Sequence, residues 1–237
     1  GRGWTRAAGC YDPAMARRLL VLDVVGLVAG LLGPRLAALG RSGWQRALQP
    51  VFPAVTCTAQ ASMLTGRLPD GHGIVGNGWY FHELSEVLFW RQSNRLVQAE
   101  QVWETARRAR PGLRTAQLFW WFNMYSGAEL SVTPRPEYPA DGRKVPGLYT
   151  RPAELRGRLE QRLGPFPLFR FWGPAADIMS TRWIADCALD VLERDRPDLC
   201  LVYLPHLDYV LQRHGPAHPL AAEHARQVDE QAGRLLD

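Results

Sequence analysis

The sequence predicts an α/β fold: a doubly wound, mostly parallel sheet with helices on both faces and a small inserted cap. Three observations predict it. Residues 199–204, and residues 19–26 apart from Asp23, are continuously apolar rather than alternating, the pattern of parallel strands buried on both sides. Residues 115–122 (T-A-Q-L-F-W-W-F) have the same character. Segments with helical periodicity separate these runs, so strand and helix alternate as in doubly wound sheets.

Length and charge bound the rest. The 237 residues suit one large domain. A hydrophobic content of 46% allows a sizeable core. The net charge is +5, and of the 28 basic residues one is lysine, Lys144. The arginines are scattered, with no basic stripe interleaved with aromatics. No specific nucleic-acid partner is therefore expected, while a mild positive field suits a phosphoester. Cys10, Cys57, Cys187 and Cys200 lack C-x-x-C or zinc-ribbon spacing. Residues 19–32 are apolar, but Asp23 and two glycines interrupt them. They are too short and broken to span a bilayer, so no membrane partner and a cytoplasmic location are expected. Residues 1–14 read as an N-terminal tail or upstream extension, and 15–237 as the folded domain.

The elements follow in order. The first strand, 19–26, carries Asp23, which is costly there unless paired or bound to a cation. Residues 33–43, between glycines, form a short helix packing on that strand. Pro50 and Pro53 keep 49–55 extended. Thr56 caps a helix that Gly66 ends. Gly76-Asn77-Gly78 is a turn. Residues 79–94 alternate aromatic and polar as a hairpin. Its Trp79, Tyr80, Trp90 and Asn94 either line a pocket for a flat group or build an aromatic mini-core. Residues 99–110 are an amphipathic helix with Val102, Trp103 and Ala106 inward. Residues 131–174, rich in Pro and Gly, read as a cap over the strand ends. A helix over 177–194, the strand 199–204 and a last helix over 217–237 close the chain.

Thr56 thus stands at a strand-to-helix junction, at the positive end of a helix dipole. Such a position holds anions and acidifies a hydroxyl. It is equally the position of an ordinary N-cap threonine.

Thr56, Thr65, Gly66, Pro69, His72, Gly73 and Ile74 stand in the register T-x8-T-G-x-x-P-x-x-H-G-I. This resembles the nucleophile segment of the alkaline phosphatase superfamily, and most closely its type I phosphodiesterase/nucleotide pyrophosphatase branch. The resemblance implies an alkaline phosphatase-like sheet and metal-dependent hydrolysis of phosphodiester or pyrophosphate bonds in a small-molecule phosphoester. It implies Thr56 as the metal-bound nucleophile, its following amide supporting the phosphoryl oxygens, and two divalent metal ions, zinc being expected. Asp23 is the implied first ligand, although it precedes Gly26 by three residues where the family has an Asp-Gly pair; the alternative is that Val25 holds that position. Ala59 stands where the family has a phosphate-binding Asn. Asp208 matches a second metal ligand, but the His expected four residues later is Gln212, which leaves His214 as the nearby candidate. Asn77, Trp79 and Asn94 are the expected substrate contacts. Thr58 and Gln60 occupy positions where a sulfatase needs Pro and Arg, which argues against that branch. The family pattern continues with an Asp-His pair and a further His, so the chain is expected to be the first part of a longer domain. A catalytically degenerate relative retained for binding is the alternative reading.

Overall fold

The computed structural model describes residues 18–237. The expected N-terminal tail and Cys10 lie outside them. Five strands form one sheet: β1 (Leu19–Val24), β7 (Leu199–Leu204), β4 (Thr115–Leu118), β5 (Leu130–Pro134) and β6 (Leu148–Arg151), in that spatial order. The pairings β1–β7, β7–β4 and β4–β5 are parallel, and β5–β6 is antiparallel. The doubly wound reading holds. β7 is buried along its whole length, as its unbroken apolar run demands.

The two faces of β7 carry different helices. Cys200, Val202 and Leu204 meet α6 (Ile178–Arg194), α7 (His206–His214) and α8 (Leu220–Leu236) in the main core. Leu199 and Leu201 point the other way, onto Leu64 of α2 (Thr56–Thr65) and Trp103 of α4 (Val102–Ala109). Period-two alternation sorts the residues of one strand between the two layers. Val102, expected to face inward, is exposed; Trp103 alone in that pair is buried.

Two expectations are corrected. β1 was expected to be enclosed on both sides, yet among the described residues it pairs with β7 alone and its side chains are only partly buried. Residues 131–174 were expected to be a cap. Instead 130–134 and 148–151 are sheet strands, and α5 (Glu154–Leu163) flanks them. The strand 130–134 is short and runs into Pro134-Arg-Pro136, so its extended run reads as irregular although every residue of it is buried. The loop 135–147 that joins the two strands does reach the cleft described below.

Tertiary partners supply what local sequence lacks. α1 (Pro34–Ser42) begins after Gly33, which has no side chain to cap it. The carboxylate of Asp229 on α8 takes the role, accepting the Arg35 and Leu36 amides at 3.0 and 2.9 Å. A Cβ on Gly33 would collide with that carboxylate. α1 therefore docks on α8. Some of the arginine excess is structural too: buried Asp190 is met by Arg158, Arg162 and Arg194 at 2.9, 2.9 and 3.1 Å. Among the described residues, no helix is long and apolar enough to cross a membrane.

Candidate active site

A cleft of about 1100 Å³ opens at the C-terminal ends of the parallel strands, where ligands gather in open α/β sheets. Thr56, Asn77, Tyr203 and Asp208 are on its wall. Thr56 is the first residue of α2; Val55, in extended conformation, is the residue before the helix. The hydroxyl thus sits at the helix N-terminus, but Thr56 is not the N-cap. Gly66 ends α2 in the left-handed conformation, as a glycine there should.

Asn77 closes this corner. Its Oδ1 accepts the Cys57 amide at 2.9 Å. That amide, expected to support phosphoryl oxygens, is therefore occupied by the protein itself. The hairpin of β2 (Gly78–Phe81) and β3 (Glu86–Phe89) follows immediately. α3 (Pro69–His72) precedes it and is tied down by His72. His72 is buried; its Nδ1 accepts the Ile74 amide at 3.1 Å, so the ring proton lies on Nε2 and is donated to Ser62 Oγ at 2.8 Å. The His-Gly-Ile of the motif is thus a clamp between α3 and α2. Burial holds the pKa of His72 below its ordinary value and keeps the clamp neutral.

Two carboxylates stand on neighbouring elements, Asp208 on the cleft wall and Asp23 off it. Asp23 lies near the end of β1, in register with Tyr203 of β7. Its Oδ2 accepts Gln60 Nε2 at 2.7 Å, and Gln60 Oε1 in turn accepts the Trp121 amide at 2.7 Å. Asp208, in the first turn of α7, accepts Gln212 Nε2 at 2.6 Å. Burial raises the pKa of both carboxyls; the glutamine hydrogen bonds oppose it only in part. Neither has an ion-pair partner among the described residues. Tyr203 is on the cleft wall with Thr56 and Asp208, in register with Asp23, and burial raises its pKa well above the ordinary phenol value.

Other candidates lie elsewhere. His214, at the end of α7, stacks on His218 with ring centroids 4.6 Å apart and is exposed. Six residues along a helix from Asp208, it stands about 120° round the axis, whereas Gln212 at four residues shares the Asp208 face. His214 is not on the cleft wall, and Gln212 is. Trp79 stacks on Phe81 and packs against the cluster of Cys57, Ile74 and Trp121. Asn94 donates to the Phe122 carbonyl at 2.8 Å. Both are packing residues in this structure. Trp90 and Tyr125 are on the wall instead, and both hold positive φ, 54° and 62°. Bulky residues in that region signal imposed strain at a working surface.

Whether these side chains suit a metal is decided by the donor set. Two half-buried carboxylates without a counter-cation among the described residues, one of them sharing the cleft wall with Thr56, suit a divalent ion with oxygen preference. Among the described residues, however, no three His, Cys, Asp or Glu side chains converge. The donors fit one side of such a site.

Sheet order, strand-end cleft and the Thr56 corner together define an α/β domain of the alkaline phosphatase superfamily. The chain belongs to the type I phosphodiesterase / nucleotide pyrophosphatase family, whose profile matches residues 19–237. It is 26% identical over 198 residues to an uncharacterized pyrophosphatase/phosphodiesterase of Schizosaccharomyces pombe, covering 80% of this chain and 33% of that protein. It is 24% identical over 214 residues to human ectonucleotide pyrophosphatase/phosphodiesterase family member 7, covering 86% of this chain and 39% of that one. Phosphonoacetate hydrolase from Sinorhizobium meliloti, solved with phosphonoacetate, shares the fold with a TM-score of 0.61 at 18% identity, covering 93% of this chain and 53% of that one. Murine ectonucleotide pyrophosphatase/phosphodiesterase 5, in an inactive form with AMP, gives 0.58 at 17% identity, covering 93% and 51%. The chain thus spans a third to two fifths of these curated relatives and about half of the solved chains.

Proposed function

We propose that this chain carries the nucleophile side of a metal-dependent hydrolase of phosphodiester or pyrophosphate bonds, with Thr56 as the nucleophile. The single observation behind this reading is Thr56 on the wall of a strand-end cleft, at a helix N-terminus, with Asp208 on the same wall; Asp23 is tied to the same helix through Gln60. The substrate class is a small-molecule phosphoester.

Asp23, Thr56 and Asp208 would hold divalent metal ions, two in the complete site and zinc by family resemblance. Bound there, such ions lower the hydroxyl pKa and neutralise phosphoryl charge. The chain's own residues do the rest. The α2 N-terminus favours the negative charge that develops at Thr56 Oγ1. Tyr203, on the same wall with its phenol pKa raised by burial, would donate a hydrogen bond to that oxygen. Thr56 Oγ1 attacks phosphorus, the ester oxygen opposite leaves, and water cleaves the resulting threonine ester. Gln60 fixes the Asp23 carboxylate and the Trp121 backbone relative to each other.

One observation favours a second reading, a binding protein that has lost turnover: Gln212 occupies the Asp208 carboxylate where a further ligand would be needed. Metal content and turnover of a nitrophenyl phosphodiester panel, on full-length protein and Thr56→Ala, separate the two. About two metals per chain and turnover lost with Thr56 support the hydrolase. No metal and no Thr56-dependent turnover support the binding protein.

A further inference from the structure

Two segments distant in the chain meet on the cleft wall. One is the arm between β5 and β6, which contributes Tyr138 and Lys144. The other joins α5 to α6 and contributes Phe171, Trp172 and Gly173. They touch where Lys144 Nζ sits 4.3 Å from the centroid of the Trp172 ring. A lysine over an aromatic face is held by attraction between its charge and the ring quadrupole. Lys144 is also the single lysine of the chain.

The two sides of this contact are anchored differently. Phe171 is buried in the main core, and Trp172 stands against it with ring centroids 5.5 Å apart. Just beyond, Arg213 of α7 donates to the Pro174 and Ala176 carbonyls at 3.3 and 3.1 Å. The Trp172 side is therefore fixed both to the core and to the helix that carries Asp208. The arm is fixed at its base. The Arg135 amide donates to the Gly147 carbonyl at 2.8 Å, and Glu137 and Val145 exchange amide hydrogen bonds at 2.9 Å each. Glu137 also reaches Arg156 at 3.8 Å. Past that rung, among the described residues, the hydrogen bonds of residues 138–144 stay within the tip: Gly142 donates to the Pro139 carbonyl and Arg143 to Asp141. Lys144 on Trp172 ties that tip to the opposite segment.

We propose that the Lys144–Trp172 contact determines specificity by limiting the bulk of the substituent that a phosphodiester brings into the cleft. While the contact is made, the arm stays against the α5–α6 segment and the wall is continuous. When it breaks, the wall parts and bulkier diesters enter. The inference rests on the phosphoester reading of the cleft and narrows it to diesters with compact substituents. A cation–π contact at a part-exposed site favours the closed wall by only about two- to fivefold. The tie therefore opens readily and acts on selectivity rather than on stability.

The test has two readouts on the full chain. Reductive methylation with isotope-labelled formaldehyde marks one side chain, Lys144, besides the terminal amine, and dimethylation keeps the charge. The Trp172 ring current should shift its methyl resonance upfield of free dimethyl-lysine, and Trp172→Ala should return it to the free position. Selectivity is read by isothermal titration of Thr56→Ala protein in zinc-containing buffer, with dicyclohexyl phosphate against dimethyl phosphate, so no turnover is needed. Lys144→Ala and Trp172→Ala should each raise the affinity ratio of cyclohexyl over methyl diester by about two- to fivefold. The double variant should go no further, since both changes remove one contact. Lys144→Arg should keep the parent ratio, because a guanidinium also lies on an aromatic face. Both positions are in exposed or half-buried loops, so melting should match the parent. An unshifted resonance in the parent, no binding of either diester, a ratio indifferent to Lys144→Ala, or additive effects of the two changes overturns the tie. The ratio effect in a protein without any Thr56-dependent hydrolysis would leave the tie standing and sink the hydrolase.

Discussion

Replacing His72 with Ala removes the clamp that joins α3 to α2, and its cost follows from the contacts. The buried Ile74 amide loses its acceptor, at about 1–3 kcal/mol. The Ser62 hydrogen bond is lost, at about 0.5–1.5 kcal/mol, and a cavity replaces the ring. Together these give a loss of about 3–5 kcal/mol at neutral pH, or about 6–20 °C in melting temperature for a chain of this size. The pH dependence carries the sharper signature. Burial disfavours the charged ring more than Asp70 favours it, so the folded pKa lies below the ordinary histidine value. Below about pH 6.5 the unfolded chain takes up a proton that the folded chain refuses, so stability falls on acidification, by up to about 1.4 kcal/mol per pH unit for each such group. His206 and His224 are also held down by burial and keep their share in the variant. Urea unfolding of parent and His72→Ala at several pH values should therefore show a large deficit at neutral pH that narrows as pH falls. Parallel stability profiles, or a deficit under about 1 kcal/mol, would refute the neutral-clamp account.

Other outcomes follow from the same contacts. Gln60→Leu leaves the buried Trp121 amide without an acceptor and should destabilise by about 2–4 kcal/mol in urea unfolding; a change below about 1 kcal/mol would contradict the bridge. Asp229→Ala removes the cap of α1, so hydrogen exchange should accelerate at Arg35 and Leu36 with a stability loss of about 1–3 kcal/mol. Burial pushes Cys200 up to about 12 and raises Cys57 and Cys187 as well. Peptide mapping should find all three unalkylated at about pH 8 until the chain is unfolded, Cys57 included despite its place beside Thr56. Tyr203→Phe should lower phosphodiester turnover about tenfold or more while the melting temperature moves little; unchanged turnover would remove Tyr203 from the nucleophile's support.

The parts of this molecule legible in the sequence are those where local pattern and tertiary context agree. The unbroken run 199–204 is a buried parallel strand, and the helix read over 177–194 is α6, Ile178–Arg194. The Thr56-to-Ile74 register located the cleft corner, because glycine and proline there fix turns that few other sequences make. Where long-range contacts decide, the sequence was silent. Gln60 looks like any helical glutamine until the fold brings it between Asp23 and Trp121, residues 37 and 61 positions away. Tyr203 reads as core, yet the end of its strand, opposite Asp23, brings it onto the cleft wall that Thr56 shares. Helical spacing was the available signal against His214, since only the fourth residue after Asp208 shares its face. The strand 130–134 was hidden by the prolines around it.

The most direct test of Thr56 as nucleophile is acid-quenched peptide mapping after reaction of the full-length, metal-loaded protein with a nitrophenyl phosphodiester. The account predicts a phosphoester adduct on the tryptic peptide 47–67, localised by fragmentation to Thr56 and absent from Thr56→Ala. Turnover with an adduct on another residue, or undiminished turnover in Thr56→Ala, would contradict it.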